Sequence, residues 1–323
     1  MRTLTPFTFS RRTALSMPFF TLFTSKPRRR IFKYELWDVF TDRPLTGNPL
    51  AVFTGAQTLS TEEMQAIARE MNHSETTFII RSAAAVGIRN MATVRIFTPR
   101  EELAFAGHPV LGTAFALRNE SRLNEVTLDL KAGPFPVTFR NEDGHLEGEM
   151  LQQDPQFGMR HETGVIASMT GLSENDFDLS APIETVSTGR AKMIVPLKSL
   201  DAIRRVQPQF AALSQYSKKT DGNTGPYFVT RETVNRSARV HARNLIPAGE
   251  DPVTGSAGGC CAAWMVKHAW AQSDESVIIE QGLEIMRPGT MKVRAKRTAE
   301  GVRDVRVSGS AVRVGTGQIE FAS

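Results

Sequence analysis

The 323 residues are 41% apolar and 23% charged, a balance that excludes a disordered or fibrous chain and is ample for two domains with cores of their own. The net charge of +5 misleads: residues 1–34 carry eight basic residues and no acid, which leaves 31 basic against 34 acidic residues in 35–323, a net of −3. The body is therefore mildly acidic without a clustered basic face, which argues against a nucleic-acid partner, and no apolar run reaches the roughly 18 residues that span a membrane.

Residues 1–30 form a basic extension rich in Arg, Ser, Thr and Phe, the composition either of a mitochondrial transit peptide or of an untargeted, poorly ordered tail. The location is cytoplasmic, or mitochondrial if the extension is a transit peptide. The body opens with a strand at Tyr34–Phe40 and a turn-rich loop around Gly47-Asn48-Pro49, and a second strand follows at Leu50–Phe53. Ser60 or Thr61 caps a helix running to Met71, with Glu62 and Glu63 in its first turn. Asn72–Thr76 ends that helix and leads into a strand at Thr77–Ile80, and residues 92–98 alternate as another. A helix over 107–118 precedes strands near 125–131 and 134–140.

The second half repeats this order. Gly189 precedes a strand at Met193–Pro196 as Gly47 precedes Leu50–Phe53, an offset of 142 residues. A helix is expected over Leu200–Phe210, strands over Pro226–Thr230 and Ala238–Arg243, and a helix over 252–269. Strands at Thr290–Ala295, Asp304–Val307 and Ala311–Val314 close the chain. The repeat is sharpest at Gly107-His108-Pro109-Val110-Leu111-Gly112-Thr113-Ala114 and Glu250-Asp251-Pro252-Val253-Thr254-Gly255-Ser256-Ala257, where His108 and Asp251 align at an offset of 143. A period this long points to paired domains rather than a solenoid. Each copy sets a Pro near a helix start beside small residues, and such a start offers free N–H groups and a positive dipole end to an anion.

The dipole would favour neutral His108 and anionic Asp251; the plainer alternatives are a structural histidine and an ordinary helix cap. Glu75, at a loop–strand junction, either becomes a buried general base or remains a surface carboxylate. The only cysteines, Cys260 and Cys261, are adjacent, so they neither staple a loop nor make a metal site of usual spacing; within an Ala/Gly-rich helix they read as core filler in a reducing compartment.

Gly47-Asn48-Pro49, Asn72-His73-Ser74-Glu75-Thr76 and the two helix-start motifs together closely resemble the phenazine-biosynthesis PhzF-like family, over nearly everything beyond the basic tail. The resemblance implies the α/β (α+β) diaminopimelate-epimerase-like fold: two pseudo-symmetric domains, each a rolled mixed sheet around a central helix, with the active site between them. The expected division is 31–142, completed by a C-terminal strand over 308–323, and 143–307. It also implies a cofactor-independent isomerase of a small carboxylated metabolite, using neither metal nor organic cofactor. Glu75 falls on the family's acid/base, His108 and Asp251 on its other catalytic positions, and substrate contacts fall on Asn48, Ser74, Gly107, Gly255 and Ser256. A homodimer is compatible with the resemblance, and no residue pattern speaks for or against it. The epimerases of this fold use two thiols at the helix mouths; His108 and Asp251 stand there instead, which argues against that chemistry. The rival of another class is a non-catalytic small-anion binder or protein-interaction member of the same fold.

Overall fold

The structure is a computed structural model that describes residues 29–81, 90–142, 144–220, 222 and 224–322. The expected extension over 1–30 lies, except for its last two residues, outside the described residues. The first half runs β1 (Arg29–Val39), β2 (Asn48–Phe53), α1 (Thr61–Met71), β3 (Glu75–Arg81), β4 (Met91–Phe97), β5 (Glu102–Leu103), α2 (Gly107–Ser121), β6 (Glu125–Leu130), β7 (Gly133–Glu142) and β8 (His145–Leu151). The second runs β9 (Gln156–His161), α3 (Thr163–Thr170), β10 (Ile183–Ser187), β11 (Ala191–Leu197), α4 (Leu200–Arg204), α5 (Phe210–Thr220), β12 (Gly225–Thr230), β13 (Val240–Ile246), β14 (Gly249–Asp251), α6 (Gly255–Lys267), β15 (Val277–Gln281), β16 (Gly289–Thr298), β17 (Gly301–Gly309) and β18 (Ala311–Ala322).

The duplication read from the sequence reappears as one order of strand pairing used twice. In the first half β1–β2 is antiparallel, β2–β3 parallel, β3–β4 antiparallel, β4–β6 parallel, and β6–β7 and β7–β8 antiparallel. In the second, β10–β11, β11–β12, β12–β13, β13–β15, β15–β16 and β16–β17 follow the same alternation. Each parallel pair needs a crossover, and helices occupy those crossovers in both halves. The sheets roll around α2 and α6, which are buried from Gly107 to Leu117 and from Gly255 to Val266. Helices buried all round explain why both motifs are apolar without a polar face. Phe32–Ile319 form one compact body; outside it, Arg29 pairs with Glu320 at 3.3 Å. Among the described residues no helix is long and apolar enough to cross a membrane.

Local signals placed α1 well: Ser60 and Glu63 form a reciprocal capping box, and Asn72 closes the helix in the left-handed region at φ 51°. Two helix expectations need correction. The helix expected over 200–210 stops at Arg204, because Pro208 disfavours helical geometry at Gln207 and cannot extend the turn, and α5 lies beyond the expected span but for its first residue. The helix expected from residue 252 begins at Gly255, because Glu250 and Asp251 are drawn into β14, where Asp251 is paired with Asn244.

Candidate active site

Asn48 anchors the site. It follows Gly47, which turns at φ +62° where an added Cβ would stand 2.4 Å from the Val39 carbonyl, so only glycine fits that bend. At the first position of β2, Asn48 is fully buried and its Nδ2 donates to Asp251 Oδ1 and the Val253 carbonyl, each at 2.8 Å, and faces His108 Nδ1 at 3.1 Å. Those two acceptors engage both amide hydrogens of Asn48, and the imidazole also meets the Pro49 backbone. His108 Nε2 is buried without a hydrogen-bond partner and stands 3.5 Å from Glu75 Oε2.

Glu75 opens β3 just beyond the α1 cap, with its side chain 12% exposed. Burial pushes its carboxyl up to about 8, and the Asp251 charge adds to the rise, while Arg190 and Lys192 oppose it. Burial likewise pulls His108 down to about 4, against the pull of Asp251 in the other direction. Near neutral pH the contact therefore joins a carboxylic acid to a neutral imidazole and is not an ion pair. Asp251 Oδ1 also accepts from Ser74 Oγ at 3.3 Å, and its Oδ2 accepts from Thr254 Oγ1 at 2.5 Å and Asn244 Nδ2 at 3.5 Å. A carboxylate meeting only donors is held as an acceptor.

The two helix mouths meet backbone to backbone. A Cβ on Gly107 would lie 2.5 Å from the Ser256 amide nitrogen, and one on Gly255 would lie 2.7 Å from the Phe40 ring. Neither Ala106 nor Thr254, the residues preceding the two helices, caps the helix through its side chain. First-turn N–H groups lack intrahelical acceptors, so two positive ends converge on one spot. Asp251 is not the ordinary helix cap weighed above, since α6 starts four residues later.

All eight residues singled out in the sequence thus gather here: Glu75, His108, Asp251, Asn48 and Ser74 in one contact network, and Gly107 against Gly255 and Ser256. Asn48 Nδ2 and the Ser74 hydroxyl are turned toward Asp251, while Asn48 Oδ1 is buried without a hydrogen-bond partner. Sequence reasoning missed Lys192, Asn244 and Gln281. Lys192 had one signal, a lone charge in the apolar run of β11, where a buried lysine demands a partner; its Nζ donates to Asn244 Oδ1 at 3.0 Å, and burial pulls its ammonium down to about 8. Cys260 and Cys261 are buried in α6 and burial raises both thiols, as suits core filler. A surface cleft of about 650 Å³ around Phe177 and Leu179 includes none of these residues, so the site is located by convergent buried polar groups rather than by cavity size.

A duplicated rolled sheet with two central helices meeting at their N-termini is a fold that this chain shares with solved epimerase structures. A hydroxyproline epimerase from Agrobacterium vitis shares the fold, with a TM-score of 0.61 at 12% identity over 91% of this chain and 94% of its own. The family model described as phenazine biosynthesis-like protein (PhzC-PhzF) matches residues 37–317. The chain belongs to that family, and it is an isomerase. It is 34% identical over 290 residues to the trans-2,3-dihydro-3-hydroxyanthranilate isomerase of Pseudomonas aeruginosa, covering 88% of this chain and 98% of that one. A crystal structure of a Bacillus anthracis PhzF-family protein superposes with a TM-score of 0.80 at 31% identity, over 90% of this chain and 99% of the other.

Proposed function

We propose that this isomerase moves a proton between two carbons of a small carboxylated, unsaturated substrate, with Glu75 as the single acid/base. The observation that carries this reading is the buried contact of Glu75 Oε2 with His108 Nε2 at 3.5 Å, beside two facing helix mouths. In its ionised form Glu75 takes a proton from one carbon, and the C–H electron pair passes into the conjugated system and toward the substrate carboxylate. The N–H groups at Gly107, Gly255 and Ser256 stabilise that developing charge. Glu75, now protonated, returns the hydrogen to a second carbon on the same face. His108, 3.5 Å away, steadies the carboxylate while it is charged, and Asp251 keeps Asn48 in place. A carboxyl held near 8 is a stronger base than an ordinary glutamate once ionised. No other group in the network is both unengaged and able to take a proton from carbon.

The test is proton–deuterium exchange and turnover in heavy water, beginning with trans-2,3-dihydro-3-hydroxyanthranilate, the compound named for the Pseudomonas relative. Glu75→Gln is expected to lose on the order of a thousandfold or more in rate, within the range general acid–base groups supply. A folded Glu75→Gln protein that keeps its turnover sinks the assignment, and binding of small acids without exchange by the parent protein favours the anion-binding rival. The repeated pairing order also supports reading the body as two lobes, with the substrate held where α2 meets α6; β8, paired with β7, goes with the first lobe rather than with 143–307.

A further inference from the structure

Lys192 is the second residue of β11, buried, and followed by Met193, Ile194 and Val195. Its Nζ meets Asn244 Oδ1 at 3.0 Å. An ammonium can only donate, so Asn244 must turn its oxygen to Lys192 and its Nδ2 the other way. That Nδ2 lies 2.9 Å from Thr254 Oγ1 and 3.5 Å from Asp251 Oδ2. Gln281 Nε2 supplies Thr254 Oγ1 with a second donor at 3.1 Å, so the one hydroxyl hydrogen goes to Asp251 Oδ2. Gln281 is oriented at its far end, where its Oε1 accepts from Tyr227 Oη at 3.0 Å and from the Thr254 amide at 3.1 Å. Its Nε2 also donates to the Asp251 carbonyl at 2.8 Å. Every hydrogen in this buried network runs toward Asp251, and no member can be reversed without setting like groups face to face.

We infer that Lys192 is a positioning residue for the reaction, acting through Asn244 to hold Asp251 as a carboxylate that only accepts, in line with Asn48 and His108. Across 3.5 Å Asp251 Oδ2 holds the Asn244 amide only weakly in that orientation; the cation at the other end of the amide, at 3.0 Å, fixes it. This also accounts for a buried charge that an apolar strand would otherwise be better without. The inference rests on the reading of Asp251 as part of the site.

The experiment compares Lys192→Met, Asn244→Ala and the double variant, assayed with trans-2,3-dihydro-3-hydroxyanthranilate. Each single change is expected to lower kcat about tenfold with KM within about twofold, and the double variant to be no worse than either single, because the two residues form one relay. Losses that multiply to about a hundredfold, or a raised KM at unchanged kcat, would overturn the relay in favour of direct substrate contact. A second readout needs no substrate. By nitrogen-15 NMR the Asn244 side-chain amide hydrogens are expected to be protected from solvent exchange in the parent and unprotected in Lys192→Met; unchanged protection refutes the relay. Lost protection in Lys192→Met, in a parent that turns over no acid, would count against the proposed reaction and not against the relay. Should Lys192→Met fail to fold, Asn244→Asp keeps an acceptor for Lys192 but offers Asp251 no hydrogen, so kcat should again fall about tenfold; an unchanged kcat overturns the inference.

Discussion

Replacing Glu75 with Gln should stabilise the ligand-free protein while removing its activity, and the size of the gain should depend on pH in a calculable way. The carboxyl titrates near 4.5 in an unfolded chain and at about 8 in the folded one. Between those values the folded protein retains a proton that the unfolded chain has released, so raising the pH favours unfolding by about 1.4 kcal/mol per unit. The contribution is fully present below 4.5 and is lost as pH rises through about 8. At pH 7 the accumulated penalty is on the order of 3 kcal/mol, and at pH 5 it is below about 1 kcal/mol. Gln fills the same space and cannot ionise, so it escapes the penalty. Urea unfolding of both proteins at half-unit steps from pH 5 to 8.5 should show the variant pulling ahead by about 4 kcal/mol across the range, levelling off above about 8. His108 titrates low in both proteins, its stability contribution falling away as pH drops from 6.5 toward about 4, so it largely cancels in the difference. Two stability curves that run parallel from pH 5 to 8 would refute the buried, proton-retaining Glu75 and the mechanism with it.

Because the base must be ionised to act, kcat/KM should rise with pH and level off above about 8; a flat profile from pH 6 to 9 would contradict this. Asn48→Asp places a second carboxyl 2.8 Å from Asp251 and removes the donors to Asp251 and the Val253 carbonyl, so urea unfolding at pH 7 should show a loss of about 2–4 kcal/mol. Gly107→Ala puts a methyl group 2.5 Å from the Ser256 nitrogen and must force the helix mouths apart. It should cost about 1–3 kcal/mol in stability and lower turnover well beyond what that destabilisation explains, measured under conditions where the variant is fully folded.

Residues close in sequence settled what is local. The capping box of Ser60 and Glu63, the left-handed Asn72 and the alternation of β4 are written in neighbouring residues, so α1 and its flanking strands could be read directly. The twofold order of elements was legible for the same reason, since each repeat carries its own turns and helix starts. The eight candidate residues were legible through their motifs, but not what each of them touches. Asn48 and Asp251 stand 203 positions apart, on β2 and β14, and only the folded chain brings them to 2.8 Å. The start of α6 was misplaced because the pairing of Asp251 with Asn244 across β13 and β14 overrides a local helix signal. Lys192 looked like one polar residue in an apolar strand; its meaning depends on a hydrogen bond to a residue 52 positions away. The raised carboxyl of Glu75 belongs wholly to the folded state, because desolvation and the field of a distant aspartate exist only once the chain has closed around them.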